Sequence, residues 1–302
     1  MEQIKVSFLG TGNAIPSIKR NHTAIFNQLF GKGILVDCGE GTQRQFMQAK
    51  ISHNKIDKIL ITHWHGDHIL GLPGLLQTMA MEDYRKELEI YGPKGTKKAF
   101  NEIKKMLGSS SQELKIRVIE IQKQGKIIDN ENYVVECTSL KHGTPCLGYS
   151  IKIKDKRRIN KKAISKFKLP NSPILKKLQL GKNIVVDGKK IEAKKATFLE
   201  KGKKITFILD THRTESATKL AKDSDLLICE STFLENEREK ADEALHLTAK
   251  DAATIAKKSK SKKLALVHIS QRYENQIDSV KEEANKVFKN TIIPVDLESL
   301  EI

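Results

Sequence analysis

The hydrophobic pattern of this chain consists of short apolar or alternating runs, separated by polar loops and by longer stretches with helical periodicity. The short runs predict β-strands at residues 4–9, 33–37, 59–61, 87–91, 116–121, 133–140, 204–209, 226–229 and 263–267. The longer stretches predict helices at residues 42–50, 69–81, 95–107, 249–258 and 275–288. Many strands with interspersed helices are typical of an α/β protein in which two sheets are covered by helices.

Four potential metal ligands follow the apolar run at residues 59–61 within six residues: His63, His65, Asp67 and His68. Imidazole suits zinc and its neighbours, and a carboxylate accommodates a second cation. His63 and His65 share a face if strand backbone continues, and Gly66 permits a turn that brings the other two ligands to the same point. The alternative is a polar loop that happens to be His-rich, but a buried strand directly before the cluster favours a metal site.

Three further candidate ligands lie at the ends of other predicted strands. His142 follows the strand at residues 133–140, Asp210 follows residues 204–209, and His268 follows residues 263–267. In layered α/β proteins, sites assemble at the carboxyl ends of strands. The pattern therefore predicts that these residues complete a site begun by the histidine cluster.

Several motifs around these residues are shared with a known family. His63-x-His65-x-Asp67-His68 resembles the signature of a large hydrolase superfamily. Narrower similarity comes from Gly10-Thr11-Gly12 with Pro16, Arg20 and Asn21, and from residues 36–45, 142–149, 230–233, 246–248 and 268–273. Together these segments resemble the ribonuclease Z family, the tRNA 3′-end endonucleases of the metallo-β-lactamase superfamily, and the resemblance spans the whole chain.

The resemblance implies a fold, a domain organisation and an assembly. The fold is an α/β, four-layer αββα metallo-β-lactamase-like sandwich that forms a single domain over residues 1–302. A basic tRNA-binding arm is inserted at residues 152–196. The family also implies a homodimer, in keeping with apolar residues on more than one face of the helix at residues 69–81.

The resemblance also implies two Zn²⁺ per subunit, with Mn²⁺ as a possible substitute. One ion would take His63, His65, His142 and Asp210, and the other Asp67, His68, Asp210 and His268, so that Asp210 bridges them. Asp67 and His246 would be catalytic, with Glu230 orienting His246. The remaining candidates Asp37, His22, His53 and His212 are interpreted as structural or non-ligating.

Positive charge is concentrated in one part of the chain. The net charge is +17 over 302 residues, and residues 151–200 alone contain 14 Lys and 2 Arg against 4 acidic residues. A disordered basic loop is one interpretation, but interspersed apolar residues favour a partly folded arm that binds phosphates. The resemblance adds tRNA contacts at Arg20, Asn21, Arg272, Lys176, Lys177 and Lys182.

Cysteine usage and hydropathy indicate a cytoplasmic protein with no membrane association. The four cysteines form no C-x-x-C pair, as expected of reduced thiols. No signal peptide is evident, and no apolar run approaches the ~20 residues that span a bilayer.

With the candidate ligands and the basic arm, the resemblance implies a zinc-dependent endoribonuclease that removes the 3′ trailer from precursor tRNA by two-metal hydrolysis and leaves a 3′-hydroxyl on the tRNA. One alternative is another hydrolase of this fold, such as a small-molecule phosphodiesterase or lactonase, which would lack the basic arm. The other is a basic nucleic-acid-binding protein with a structural metal, although seven candidate ligands exceed the four that normally close such a site.

Overall fold

The computed structural model describes residues 4–108, 114–167, 169, 172–186 and 188–302. The strands within these residues are β1 Lys5–Gly10, β2 Ala24–Leu29, β3 Lys32–Val36, β4 Ile56–Leu60, β5 Glu87–Gly92, β6 Lys115–Glu120, β7 Gly125–Asp129, β8 Tyr133–Leu140, β9 Cys146–Ile153, β10 Lys156–Ile159, β11 Ile184–Val186, β12 Lys189–Ile191, β13 Thr197–Glu200, β14 Lys204–Ile208, β15 Leu226–Glu230, β16 Leu264–Val267, β17 Thr291–Ile292 and β18 Ser299–Glu301. The helices are α1 Thr42–Gln48, α2 Gly66–Ile69, α3 Leu72–Met81, α4 Thr96–Leu107, α5 Lys161–Lys166, α6 Ile174–Gln179, α7 Ala193–Ala196, α8 Glu215–Leu220, α9 Arg238–Glu243, α10 Ala249–Lys258 and α11 Ile277–Asn285.

Two seven-stranded mixed sheets form the body of the molecule. The first has the order β18-β1-β2-β3-β4-β5-β6, and the second β17-β16-β15-β14-β9-β8-β7. Strands β3 to β6 are parallel to one another, as are β14 to β17. Parallel strands end at a common edge, so each sheet can contribute side chains to a shared site at that edge.

Apolar residues divide the body into four layers. Phe8 and Ile25 of the first sheet pack with Tyr149 and Phe207 of the second in the central cluster. A second cluster joins the outer face of one sheet to α1, α3 and α4, and a third joins the other sheet to α8, α10 and α11. Helices thus cover both outer faces, and the predicted αββα sandwich is confirmed.

The predicted helix at residues 69–81 is wrong at its start. The structure has a single turn, α2, followed by a separate helix that begins at Leu72. Gly71 lies so close to Gly39 that a Cβ there would be 2.0 Å from the Gly39 carbonyl oxygen. The helix is therefore interrupted at a glycine where two backbones meet, and the Gly71 N–H donates to the Cys38 carbonyl instead of to the preceding helical turn.

The basic segment folds as a small substructure between β9 and β14. Strands β10 and β13 form an antiparallel ribbon, and β11 pairs with β12. Its own apolar cluster contains Ala163, Leu169, Leu178, Ile184, Ile191, Ala193 and Ala196. A disordered loop is therefore the wrong interpretation for the described residues of this segment.

Among all the residues that the structure describes, no helix combines the length and apolarity needed to cross a bilayer.

Candidate metal centre

Three strands are each followed, at the common edge, by an aspartate or histidine whose backbone is in the left-handed conformation. Asp37, Asp210 and His268 follow β3, β14 and β16 with φ angles of 56°, 41° and 56°. Non-glycine residues rarely adopt this left-handed conformation, which costs of order 1–3 kcal/mol. Each such residue turns the chain abruptly at a strand end, and such local strain is concentrated at functional sites.

The first group of candidate ligands contains His63, His65, His142 and Asp210. The Nδ1 atom of His65 lies 3.0 Å from Nε2 of His63 and 3.2 Å from Nε2 of His142. The carboxylate of Asp210 lies 3.5 Å from His63 and 3.9 Å from His142. Donor atoms from three separate segments thus converge to within 4.8 Å of one another, close enough to share an ion.

The second group contains Asp67, His68, Asp210 and His268. Nε2 of His68 lies 3.3 Å from both Asp67 and Asp210. Nε2 of His268 lies 3.2 Å from each of the same two carboxylates. Asp210 belongs to both groups, and its two oxygens face different histidines, so its carboxylate can bridge two cations.

The tautomers of the histidines can be assigned from their outer partners. Nδ1 of His68 donates to Asp37 at 2.7 Å, and Nδ1 of His142 donates to the Leu245 carbonyl at 3.3 Å. Nδ1 of His268 donates to the Thr232 hydroxyl at 2.9 Å, because that hydroxyl itself donates to Glu230. Each ring therefore directs an unprotonated Nε2 into the site, the arrangement that metal-binding histidines adopt.

The same argument holds for His63, whose Nδ1 lies 3.0 Å from the Thr62 hydroxyl. That hydroxyl and the Thr62 backbone N–H both donate to Asp37 at 2.7 Å. Unprotonated nitrogens from several rings thus face one another and the Asp210 carboxylate, of which Oδ1 is buried without a hydrogen-bond partner. Buried acceptors that face only acceptors fit a cation between them.

His246 lies beside the cluster and is held by a carboxylate. Its Nδ1 is 3.0 Å from Oε1 of the fully buried Glu230, which also accepts from the Thr211 backbone N–H at 2.7 Å. The His246 ring stacks on His268 at a centroid distance of 5.4 Å and lies 5.1 Å from His142. With Nδ1 occupied, Nε2 of His246 is available to a substrate.

Electrostatics divide these residues into proton acceptors and a proton donor. Burial lowers the pKa of His63 to about 2, which keeps its ring neutral. Burial alone would also lower the pKa of His246, but the charge and hydrogen bond of Glu230 raise it to about 9.

Relatives of this chain are known across its whole length. Residues 4–167 match the model of the family described as "Anti-Pycsar protein Apyc1", a match that ends before Asp210. The protein named ribonuclease Z from Methanosarcina mazei is 37% identical over 303 residues, covering 99% of this chain and 98% of the relative. The chain belongs to the ribonuclease Z family. The predicted family is therefore confirmed.

Solved structures support this family and its fold. The short form of human tRNase Z covers 98% of both chains with a TM-score of 0.70 and 28% identity. The metallo-β-lactamase fold protein YhfI from Bacillus subtilis covers 100% of both chains with a TM-score of 0.73, and its 18% identity shows the fold alone. The predicted metallo-β-lactamase fold is confirmed.

The residues predicted to contact tRNA occupy different environments. The buried Arg20 donates through Nη1 to the Thr11 hydroxyl and the Pro294 carbonyl, at 2.6 and 2.9 Å. Asn21 is partly buried and donates to the Glu40 carbonyl at 2.6 Å. Arg272 is partly exposed above the Phe233 ring, with Nη1 donating to Glu237 at 2.7 Å. Lys176, Lys177 and Lys182 are exposed on the basic segment.

The non-ligating candidates each have a separate partner. His22 and His53 are buried, and their rings lie near the Ala14 carbonyl and Glu82. His212 lies 3.1 Å from Asp242. Sequence reasoning missed the outer partners Thr62 and Thr232. Thr232 lies within the motif at residues 230–233 and could have been found there, whereas nothing in the sequence pattern singles out Thr62.

Proposed function

We propose that this protein is a zinc-dependent endoribonuclease that removes the 3′ trailer from precursor tRNA by a two-metal mechanism. The observation that carries the proposal is the double His/Asp cluster with the His246–Glu230 pair beside it, in a chain that belongs to the ribonuclease Z family. The human neighbour is named a tRNase Z. The same substrate class is proposed here.

The seven clustered residues would hold the two ions. His63, His65 and His142 would bind one, Asp67, His68 and His268 the other, and Asp210 would bridge them. When bound, such a pair of cations lowers the pKa of water and offsets negative charge on a phosphodiester. Zn²⁺ suits the many imidazoles, and Mn²⁺ would be a substitute because it accepts the carboxylates.

The chain's own residues then handle protons and orientation. Asp67 faces the second group and would orient the attacking water and accept its proton. His246 is protonated at neutral pH through Glu230 and would give a proton from Nε2 to the 3′-oxygen as the P–O3′ bond breaks. The tRNA would therefore keep a 3′-hydroxyl and the trailer a 5′-phosphate.

We assign tRNA binding to the basic segment, residues 152–196, as an arm inserted in the single domain 1–302. Its exposed lysines, including Lys176, Lys177 and Lys182, would contact phosphates, as would Arg272 near the metal centre. Asn21 would bind substrate from the loop between β1 and β2. Because the Arg20 guanidinium is buried, its proposed part is to hold that loop in place.

Assembly and location complete the proposal. The residues Met47, Leu70 and Met81 are exposed apolar side chains on or next to α1, α2 and α3, and a homodimer interface on this layer would cover them. Free, buried cysteines suit the reducing cytoplasm, where precursor tRNA would be the substrate.

A cleavage assay on precursor tRNA tests the proposal. Purified protein with two ions per subunit by elemental analysis should release the trailer, and sequencing should find a 3′-hydroxyl on the tRNA. Chelation should abolish cleavage, and Zn²⁺ or Mn²⁺ should restore it. Full activity of metal-free protein would refute the metal mechanism, and turnover of small phosphodiesters without any tRNA cleavage would favour the small-molecule alternative.

A further inference from the structure

The turn after α10 is one of the most basic stretches of the chain outside the arm. Five of the seven residues from 257 to 263 are lysines: Lys257, Lys258, Lys260, Lys262 and Lys263. We call these five the lysine turn. None of them belongs to a motif of the family resemblance, so the catalytic proposal leaves them unexplained.

The lysine turn lies at the end of the sheet opposite the metal centre. It leads into β16, whose other end carries His268. Ser259 and Lys262 hydrogen-bond through their backbones to Asp223 and Ser224, which precede β15, both at 2.8 Å. Helix α10 begins beside His246 and ends at this turn, so it spans ~15 Å between the two ends.

Most side chains of the lysine turn form no ion pair with the described residues of the protein. Lys257, Lys258 and Lys260 are exposed, and within the described parts of the chain they form no ion pair. Lys262, by contrast, pairs with Asp225 at 2.7 Å. Clustered cations without partners repel one another, which costs stability unless a polyanion binds them.

A groove of about 500 Å³ extends from this turn toward the amino-terminal end of α10. It runs between α8 and α10 and is lined by Arg213, Thr214, Glu215, Thr218, Asp251, Thr254, Ile255 and Lys258. Arg213 marks the end nearer the metal centre, since it follows the candidate ligand Asp210 by three residues. Lys258 marks the other end and belongs to the lysine turn.

The two acidic side chains of the groove are neutralised locally. Asp251 accepts from Arg238 at 2.5 Å and also caps α10, and Glu215 pairs with Lys219 at 3.1 Å. No aromatic ring lines the groove, so bases have no stacking platform of the kind that single-strand binders use. The groove is therefore suited to a phosphate backbone of any sequence.

We propose that this groove guides the 3′ trailer of the precursor from the metal centre to the lysine turn, which binds its phosphates. The inference rests on the proposed function and adds a second RNA-binding surface, separate from the arm. A trailer must leave the metal centre whatever its sequence, and a groove without stacking groups accepts any sequence. Trailer length should therefore control affinity.

The test compares precursor tRNAs with trailers of one and twelve nucleotides. The triple variant K257Q/K258Q/K260Q should lower kcat/KM several-fold for the long trailer and leave the one-nucleotide trailer within about twofold. Its salt dependence with the long trailer should flatten by up to about 2 units of slope, at ~0.7 per single-strand phosphate. The control K97Q/K98Q/K104Q removes the same charge from the exposed face of α4, on the other sheet, and should alter neither substrate.

Each outcome decides the inference. Loss confined to the long trailer supports it. Equal loss on both substrates would assign the lysine turn to the body of the tRNA and overturn it, as would unchanged kinetics on both. If the unmodified protein cleaves neither substrate, the proposed function fails and this inference with it, whereas normal cleavage by that protein leaves the proposed function intact whatever the variant does.

Discussion

The metal cluster and the basic segment hold their functional side chains in opposite ways. Four of the five histidines of the cluster, His63, His68, His142 and His268, are fixed through outer hydrogen bonds. The side chains of His68, Asp210 and His268 are at most 2% exposed. Lys176 and Lys177 instead project from α6, a helix of six residues with one buried anchor, Leu178. The cluster is anchored in the sheets of the body, whereas the segment rests on its own small apolar cluster.

This difference follows from what each region must recognise. A metal ion requires donor atoms placed to within a few tenths of an ångström, so every ring needs an outer partner. Phosphate binding by lysines depends mainly on the number of charges that reach the backbone. We therefore expect a single substitution in the cluster to abolish metal-dependent activity. A single substitution in the basic segment should weaken RNA binding only slightly.

The substitution Asp210→Asn should have the largest effect. It keeps the size of the side chain, and Asn tolerates the left-handed backbone at this position, so the lost charge is isolated. Both ligand groups lose their shared carboxylate, and kcat should fall more than about 10³-fold, beyond the loss of one charge-stabilising donor. Elemental analysis should find fewer than two ions per subunit.

The matched control is Asp83→Asn. Asp83 has a φ of 57° but is exposed and distant from the metal centre, so its substitution should leave metal content and kcat unchanged. Retention of two ions and normal turnover by the Asp210 variant would refute the bridging assignment.

The substitution His246→Ala should have the next largest effect. If His246 donates a proton and binds no metal, the variant should keep two ions per subunit and lose on the order of 10²-fold or more in kcat. His212→Ala provides the comparison, because His212 pairs with Asp242 outside the cluster. Loss of an ion from the His246 variant would make that residue a ligand and contradict the proposed role.

The two regions also differ in how far the sequence predicts them. The clustering of the candidate ligands could be predicted because each follows an apolar run that ends at the common edge, and the predicted strand at residues 133–140 matches β8 fully. The outer hydrogen-bond partners could not be predicted, because contacts such as that of Thr232 with His268 join residues 36 apart in sequence. The left-handed conformations of Asp210 and His268 likewise depend on tertiary packing rather than on local pattern.

In the basic segment, composition predicted more than periodicity did. Its charge and apolar residues indicated a folded arm, but its elements went unpredicted. Helices α5 to α7 have four to six residues and β11 and β12 have three, too short for a periodic signal. The segment is stabilised by contacts among these short elements. The sequence shows which apolar residues are available for its small apolar cluster, but it does not show how they are arranged.

Removal of the segment should separate RNA binding from chemistry. A short Gly/Ser linker in place of residues 161–195 keeps the β10–β13 ribbon, which the Asn160 N–H to Ala196 carbonyl bond closes at 2.9 Å. Cleavage of precursor tRNA should fall by roughly 10- to 100-fold through weaker binding, and the slope of log K against log salt, roughly −3 to −4.5 for four or five phosphates, should flatten.

Hydrolysis of a small chromogenic phosphodiester serves as the control for this deletion. It should persist, because all seven candidate ligands lie outside the removed residues. Loss of both activities would make the segment part of the structural core, and undiminished tRNA cleavage would show that the segment does not bind the substrate.

The smallest effect is expected from K176Q/K177Q/K182Q, which tests whether position within the segment matters. The turn at Gly181 brings Lys182 back beside α6, where its backbone N–H donates to the Lys177 carbonyl at 2.9 Å, so the three charges lie close together. Three lost phosphate contacts should raise KM several-fold and flatten the salt slope by up to about 3 units, with kcat unchanged. The comparison variant K161Q/K162Q/K166Q removes the same charge from the exposed positions of α5. A larger effect of the first triple would assign tRNA recognition to α6 and its turn, whereas equal effects would mean that the segment binds through its total charge alone.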